Sequence, residues 1–165
     1  MTAGEAARLG RWIDEHHAQQ IEFLREIVRV PSDTPPGDNA PAAEKAADLL
    51  TGLGYTVERH AVDADFLRDY GMQSVTNLIV RHQFGEGGPT IALNSHGDVV
   101  PPGAGWTRPP YDGVIENGRM YARGVAVSKS DIATFTFALA ALRYAAAQGA
   151  TLNGTVELHF TYDEE

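Results

Sequence analysis

Cysteine is absent from the 165 residues. That excludes a disulfide framework, and any zinc-like ion must be held by histidine and carboxylate side chains alone. Such donors are hard to intermediate and suit hydrolytic metal chemistry. Basic residues are scarce as well: 13 Lys and Arg against 22 Asp and Glu give a formal net charge of −9. The chain therefore lacks both the basic footprint that nucleic-acid phosphates need and a polybasic anchor for anionic lipid. No apolar run approaches the roughly 18 to 20 residues that span a bilayer. The opening MTAGEAARLG is too polar for a secretory signal, so a cytoplasmic protein is expected. What is present, 43% hydrophobic and 8% aromatic residues, suffices for one sizeable core in one domain.

Leu9, Ile13, Ile21, Leu24, Ile27 and Val28 recur at helical intervals and predict an amphipathic helix from about Glu5 to Val30, ending before Pro31. His16 and His17 inside it point about 100° apart and are read as a solvated face. The segment SDTPPGDNAP is a loop, followed by a second helix from about Ala42 to Leu53 with Gly54 as its stop. Tyr55–Val62 and Thr76–His82 read as strands, with a polar connection between them. FGEGGP has the make-up of a tight hairpin turn into an apolar strand, Thr90–Ser95. Asp131–Ala147 is a helical pattern stopped by Gly149, and Thr155–Thr161 alternates as a last strand that delivers Asp163, Glu164 and Glu165. This order predicts an α/β sandwich on a mixed, mostly parallel central sheet.

Leu93–Asp131 is the stretch with chemistry in it. His96 and Asp98 follow the run Ile91-Ala92-Leu93, and on extended backbone residues i and i+2 point to one side. An imidazole can ligate a cation through one nitrogen while a carboxylate holds the other N–H. Alone, an H-x-D triplet is a weak signal, and a terminal DEE reads as a solvated acidic strand end.

Together with its context the signal is specific. HGDVVPPGAGWTRPPYDGVIENGRMYARG, the helix after it and the terminal DEE resemble the metal-dependent aminoacylase and carboxypeptidase superfamily. That superfamily includes acetylornithine deacetylase, succinyl-diaminopimelate desuccinylase, bacterial glutamate carboxypeptidase and peptidase T. The likeness runs from the helix ending VRVPS to Glu165. It implies a zinc-peptidase-like three-layer α/β/α sandwich and a metal-dependent hydrolase of amide bonds in small N-acyl amino acids or short peptides. His96 matches the first metal ligand, Asp98 the carboxylate that orients it, Glu164 the general base and Glu165 a ligand of a second metal. The implied cofactor is a divalent metal, zinc first, with cobalt or manganese as alternatives. Adjacent Glu residues at a strand end are expected to point to opposite sides, so that one ligates while the other serves the substrate.

Two departures stand out. The family's turn reads approximately R-G-x-x-D-x-K-G, with the Asp bridging both metals. Aligning Arg123, Gly124 and Lys129 puts Val127 on that position, and valine cannot ligate a metal. Without that anion, the mutual repulsion of two dications a few ångströms apart goes unscreened, by several kcal/mol even at an effective dielectric near 20. Asp131 is a possible displaced ligand, but Ser128-x-x-Asp131 also has the form of a helix capping box, the better reading. The second departure is length. The resemblance implies that residues 1–165 are the N-terminal portion of a catalytic domain, cut after the base and one ligand. A lid and dimerisation domain, through which the parent forms a homodimer, would lie in the missing part. Two readings follow: a metallo-amidohydrolase whose share here is probed by His96, Asp98, Glu164 and Glu165, or a non-catalytic remnant or binding module of the same fold. A serine hydrolase built on Ser128 or Ser130 with Lys129 is disfavoured, because no G-x-S-x-G elbow is present.

Overall fold

Along the segment Gly154–Thr161 every second side chain is buried, with Val156, Leu158 and Phe160 turned inward. That alternation marks a strand with one face on the core. A computed structural model describes residues 3–165; Met1 and Thr2, the first two residues of the opening read as too polar for a signal, lie outside the described residues. The elements are α1 (Ala3–Val28), α2 (Ala40–Gly52), β1 (Val57–Ala61), α3 (Ala64–Asp69), β2 (Thr76–Gly85), β3 (Thr90–His96), β4 (Val114–Glu116), β5 (Arg119–Tyr121), α4 (Lys129–Ala147) and β6 (Gly154–Thr161). No helix is long and apolar enough to cross a membrane among the described residues.

The main sheet has the order β1-β2-β6-β3, and β4 pairs with β5 in a separate hairpin. The α/β class is as expected, but the sheet direction needs correction. Only β3 and β6 run parallel, whereas β1–β2 and β2–β6 are antiparallel. The parallel pair is the one joined through a helical crossover, α4, and such a crossover is what parallel pairing requires. The FGEGGP segment is likewise not a hairpin turn, because β6 inserts between β2 and β3. The polar connection before β2 also contains a short helix, α3, whose N-cap Asp63 accepts from the amides of Asp65 and Phe66.

One core joins Phe23, Ile27 and Val28 of α1, the alanine-rich face of α2 with Leu50, Ile132, Phe137 and Leu139 of α4, and Leu78, Val80, Leu158 and Phe160 of the sheet. Small alanines let α2 approach the strands closely. The described residues thus build two of the three expected layers. On the other sheet face Arg81 bridges Glu58 and Glu157, and His159 lies 2.8 Å from Glu157. For function, the register that matters is His96 opposite Thr161. Both strands of the parallel pair end together, so residues 97–99 and 162–165 leave the sheet at the same edge, beyond the carboxyl ends of the strands.

Candidate metal centre

Residues 96–99 are held from both sides before any ligand is considered. The Gly97 amide donates to Thr161 O at 2.8 Å, and Gly97 O accepts from Ser32 Oγ at 2.7 Å. On the far side, Val99 N donates to Ser32 O and Thr34 N to Val99 O, both at 2.9 Å. Gly97 is required sterically. A Cβ there would lie 2.3 Å from Tyr162 Cε1, and the Tyr162 ring is itself buried. Tyr162 is pinned by its own amide, which donates to Asn77 Oδ1 at 3.2 Å. Burial, with the Asp98 charge behind it, pushes the Tyr162 phenol well above its ordinary range and keeps it neutral.

Asp98 is fully buried. Its Oδ2 accepts from two successive amides, Glu164 N at 2.9 Å and Glu165 N at 3.0 Å. Its Oδ1 makes no hydrogen bond and lies 3.4 Å from His96 Nδ1, which is also 3.1 Å from the Asp98 carbonyl oxygen. One carboxylate therefore faces the histidine with one oxygen and ties down the acidic terminus with the other. His96 Nε2, on the far side of the ring, is 3.6 Å from Glu164 Oε2.

His96, Glu164 and Glu165 each offer one ligand atom, and these atoms lie within 4.8 Å of one another, the one such group among the described residues. The expectation that the two glutamates point to opposite sides is corrected. β6 ends at Thr161, so strand alternation no longer governs residues 164 and 165, and the shared acceptor Asp98 brings both to the same side. An imidazole and two carboxylates around a buried, half-satisfied acid fit a divalent cation of the zinc type.

The turn 123–131 contributes differently. Val127 is 66% exposed and has no donor atom to offer. Asp131 lies outside the ligand group, with Oδ2 3.5 Å from Ser128 Oγ. The capping box expected there is not made. Ser128 is the N-cap of α4 but makes no side-chain cap bond; its hydroxyl is 2.6 Å from Ser95 Oγ, which also donates to Ser128 O at 2.9 Å. A buried neighbour thus outcompetes the local cap. Lys129 is 1% exposed, and its ammonium donates to Ile27 O at 3.3 Å and Val30 O at 3.1 Å at the end of α1. A cation is favoured there by the carbonyls that a helix end leaves free. Burial pushes the Lys129 pKa down to about 8, against the opposing pull of Asp33 and Asp98. Ser130 Oγ donates to Ala126 O at 2.8 Å, so neither serine is paired with the lysine amine as a nucleophile would be.

Sequence reasoning named His96, Asp98, Glu164 and Glu165, which the structure brings together, but missed Ser32, Asn77 and Tyr162, which hold their backbone in place. The VPS segment carried Ser32 in view, yet its bond to Gly97 spans 65 residues and leaves no local pattern.

Residues 92–165 match the profile of Peptidase family M20/M25/M40. The succinyl-diaminopimelate desuccinylase of Acidiphilium cryptum is 37% identical over 148 residues, 90% of this chain and 34% of that protein. That of Rhodospirillum centenum is 35% identical over 147 residues, 88% of this chain and 35% of that protein. The chain thus spans about a third of the length of these curated relatives. Among solved structures, human carnosine dipeptidase 1 superposes with a TM-score of 0.74 at 22% identity, over 99% of this chain and 35% of that one. The M20 family metallo-carboxypeptidase Sso-CP2 from Sulfolobus solfataricus gives 0.68 at 23% identity, over 91% of this chain and 31% of that one. These two are likenesses of fold.

Proposed function

We propose that the protein carrying this chain, whose residues 92–165 match the profile of Peptidase family M20/M25/M40, hydrolyses amide bonds in small N-acyl amino acids or short peptides. Residues 1–165 are read as the N-terminal portion of its catalytic domain. The observation that supports this most is the convergence of His96, Glu164 and Glu165 around the buried Asp98. The desuccinylase relatives make an N-acyl diamino acid the first substrate to try.

Each residue has a role consistent with its surroundings. His96 would hold a first divalent cation, zinc in first place, and Glu165 would be a ligand of a second, and cations held there would supply Lewis acidity toward the amide carbonyl. Asp98 presents Oδ1 to the Nδ1 side of His96, which leaves Nε2 as the ligating nitrogen. Glu164 is the general base of this reading: its carboxylate is exposed to water and within 3.6 Å of Nε2, at the edge where an attacking water would lose its proton. The substrate and any partner subunit are expected to make most of their contacts outside residues 1–165.

Val127 favours a second reading, a non-catalytic module of the same fold. An exposed valine at the position aligned with the bridging carboxylate leaves a second cation without its shared anion. Hydrolysis of N-succinyl and N-acetyl amino acids and of dipeptides, measured with added zinc, cobalt or manganese, separates the two. The 165-residue chain is expected to be inactive and any longer product of its reading frame active, with Glu164→Gln abolishing turnover. A longer product that binds metal and hydrolyses none of these amides would reject the hydrolase reading.

A further inference from the structure

We propose that the 165-residue chain holds a single divalent cation on His96 Nε2, Glu164 and Glu165 together, with Glu164 a ligand. This rests on the metal-binding part of the proposed function and not on its chemistry of turnover. In the resemblance, His96 and Glu165 serve different ions and Glu164 serves none. Here the geometry draws all three toward one point.

The spacing is the first ground. Donors about 2.0 to 2.2 Å from one tetrahedral ion stand about 3.3 to 3.6 Å apart. His96 Nε2 and Glu164 Oε2 are already 3.6 Å apart, and the whole set lies within 4.8 Å. Side-chain rotation of exposed glutamates covers the remainder.

The second ground is the acid behind the ligands. Asp98, fully buried, fixes the backbone of residues 164 and 165 through Oδ2 and faces His96 through an Oδ1 that makes no hydrogen bond. Charging the cluster with a cation favours an Nδ1–H on His96, shared between the Asp98 carbonyl oxygen at 3.1 Å and the orphaned Oδ1 at 3.4 Å, which gives that oxygen a partner. A buried acceptor without a donor is costly, so the same event that fills the site relieves that cost.

The third ground is what the turn fails to supply. Val127 offers no oxygen between two ions, and Asp131 is beside Ser128. With no bridging anion, a second dication would meet the first unscreened, and one ion gathers both glutamates instead. Glu164 is then a ligand in this chain, and free to act as a base only where a donor from outside residues 1–165 displaces it.

The test is calorimetric titration of the 165-residue chain with zinc chloride, paralleled by visible absorption with cobalt chloride, each variant first checked for a cooperative melt. One ion per chain is expected. His96→Asn, Glu165→Gln and Glu164→Gln should each weaken binding at least about tenfold, since even residues behind the ligands cost that much. Glu164→Gln should also change the cobalt absorption bands, which loss of general negative charge does not. Asp163→Asn and Asp131→Asn should bind as the parent does, and Val127→Asp should raise the capacity to two ions. If Glu164→Gln binds zinc as the parent does while His96→Asn and Glu165→Gln do not, the inference is overturned and the hydrolase reading stands. Two ions per parent chain, or a loss at Asp131→Asn, also overturns it. A folded parent chain that binds no cation sinks both the inference and the metal part of the proposed function.

Discussion

Residues 96–99 and residues 123–131 meet at the end of β3, yet they are held by different means and offer different chemistry. The first arm is fixed mainly by backbone bonds to β6 on one side and to residues 32–34 on the other, joined by the Ser32 hydroxyl, and it presents a histidine and a buried acid. The second has one backbone anchor, Arg123 N to Pro110 O, and is otherwise fixed by side chains, Ser128 against Ser95 and Lys129 against the carbonyls of α1, and it presents an exposed valine. Ligand placement and turn anchoring are therefore separable: the second arm has a buried lysine that docks it and, at Val127, an exposed side chain with no donor atom.

Variants can break this contrast or sharpen it. The largest effect is expected at Asp98, where alanine removes the acceptor of two amides and the charge beside His96. Asp98→Ala should lower unfolding free energy by about 3 kcal/mol in denaturant titration, since bonds to charged groups are the stronger kind. Gly97→Ala comes next. Its methyl would meet the Tyr162 ring at 2.3 Å, and overpacking of this sort should cost about 2 kcal/mol by the same measurement. A cost at Gly97 as small as that of a surface substitution would show that the first arm yields easily.

The second arm predicts a smaller, pH-dependent effect. Lys129 is depressed from 10.5 to about 8, so the unfolded chain binds this proton more tightly than the folded one. The cost of burying the charge is fully present below pH 8 and is relieved as pH rises from 8 toward 10.5. Stability measured relative to Lys129→Met should therefore rise over that window. A flat difference between pH 8 and 10 would mean that the two carbonyls fully compensate the buried ammonium.

Much of this was legible in the chain, for physical reasons that also mark the limit. Periodicity placed α1, α2, α4 and β6 within a few residues, because each buries one face against a common core. The neighbours of β6 were not legible, since pairing with both β2 and β3 is decided by contacts made across the whole chain. Local rules failed where a distant partner competed with them. The capping pattern at Ser128 was overridden by Ser95, and the alternation extrapolated to Glu164 and Glu165 ended with the strand at Thr161. The site residues stood out through motif resemblance, whereas Ser32, Asn77 and Tyr162 act through bonds that no short pattern encodes.

The central claim is that the Asp98 carboxylate binds the acidic terminus to the histidine loop, and amide hydrogen exchange in the 165-residue chain tests it most directly. Glu164 and Glu165 amides should exchange about tenfold or more slower than that of Asp163, because their bonds to a buried oxygen must open first. Equal exchange at residues 163, 164 and 165 would contradict the account.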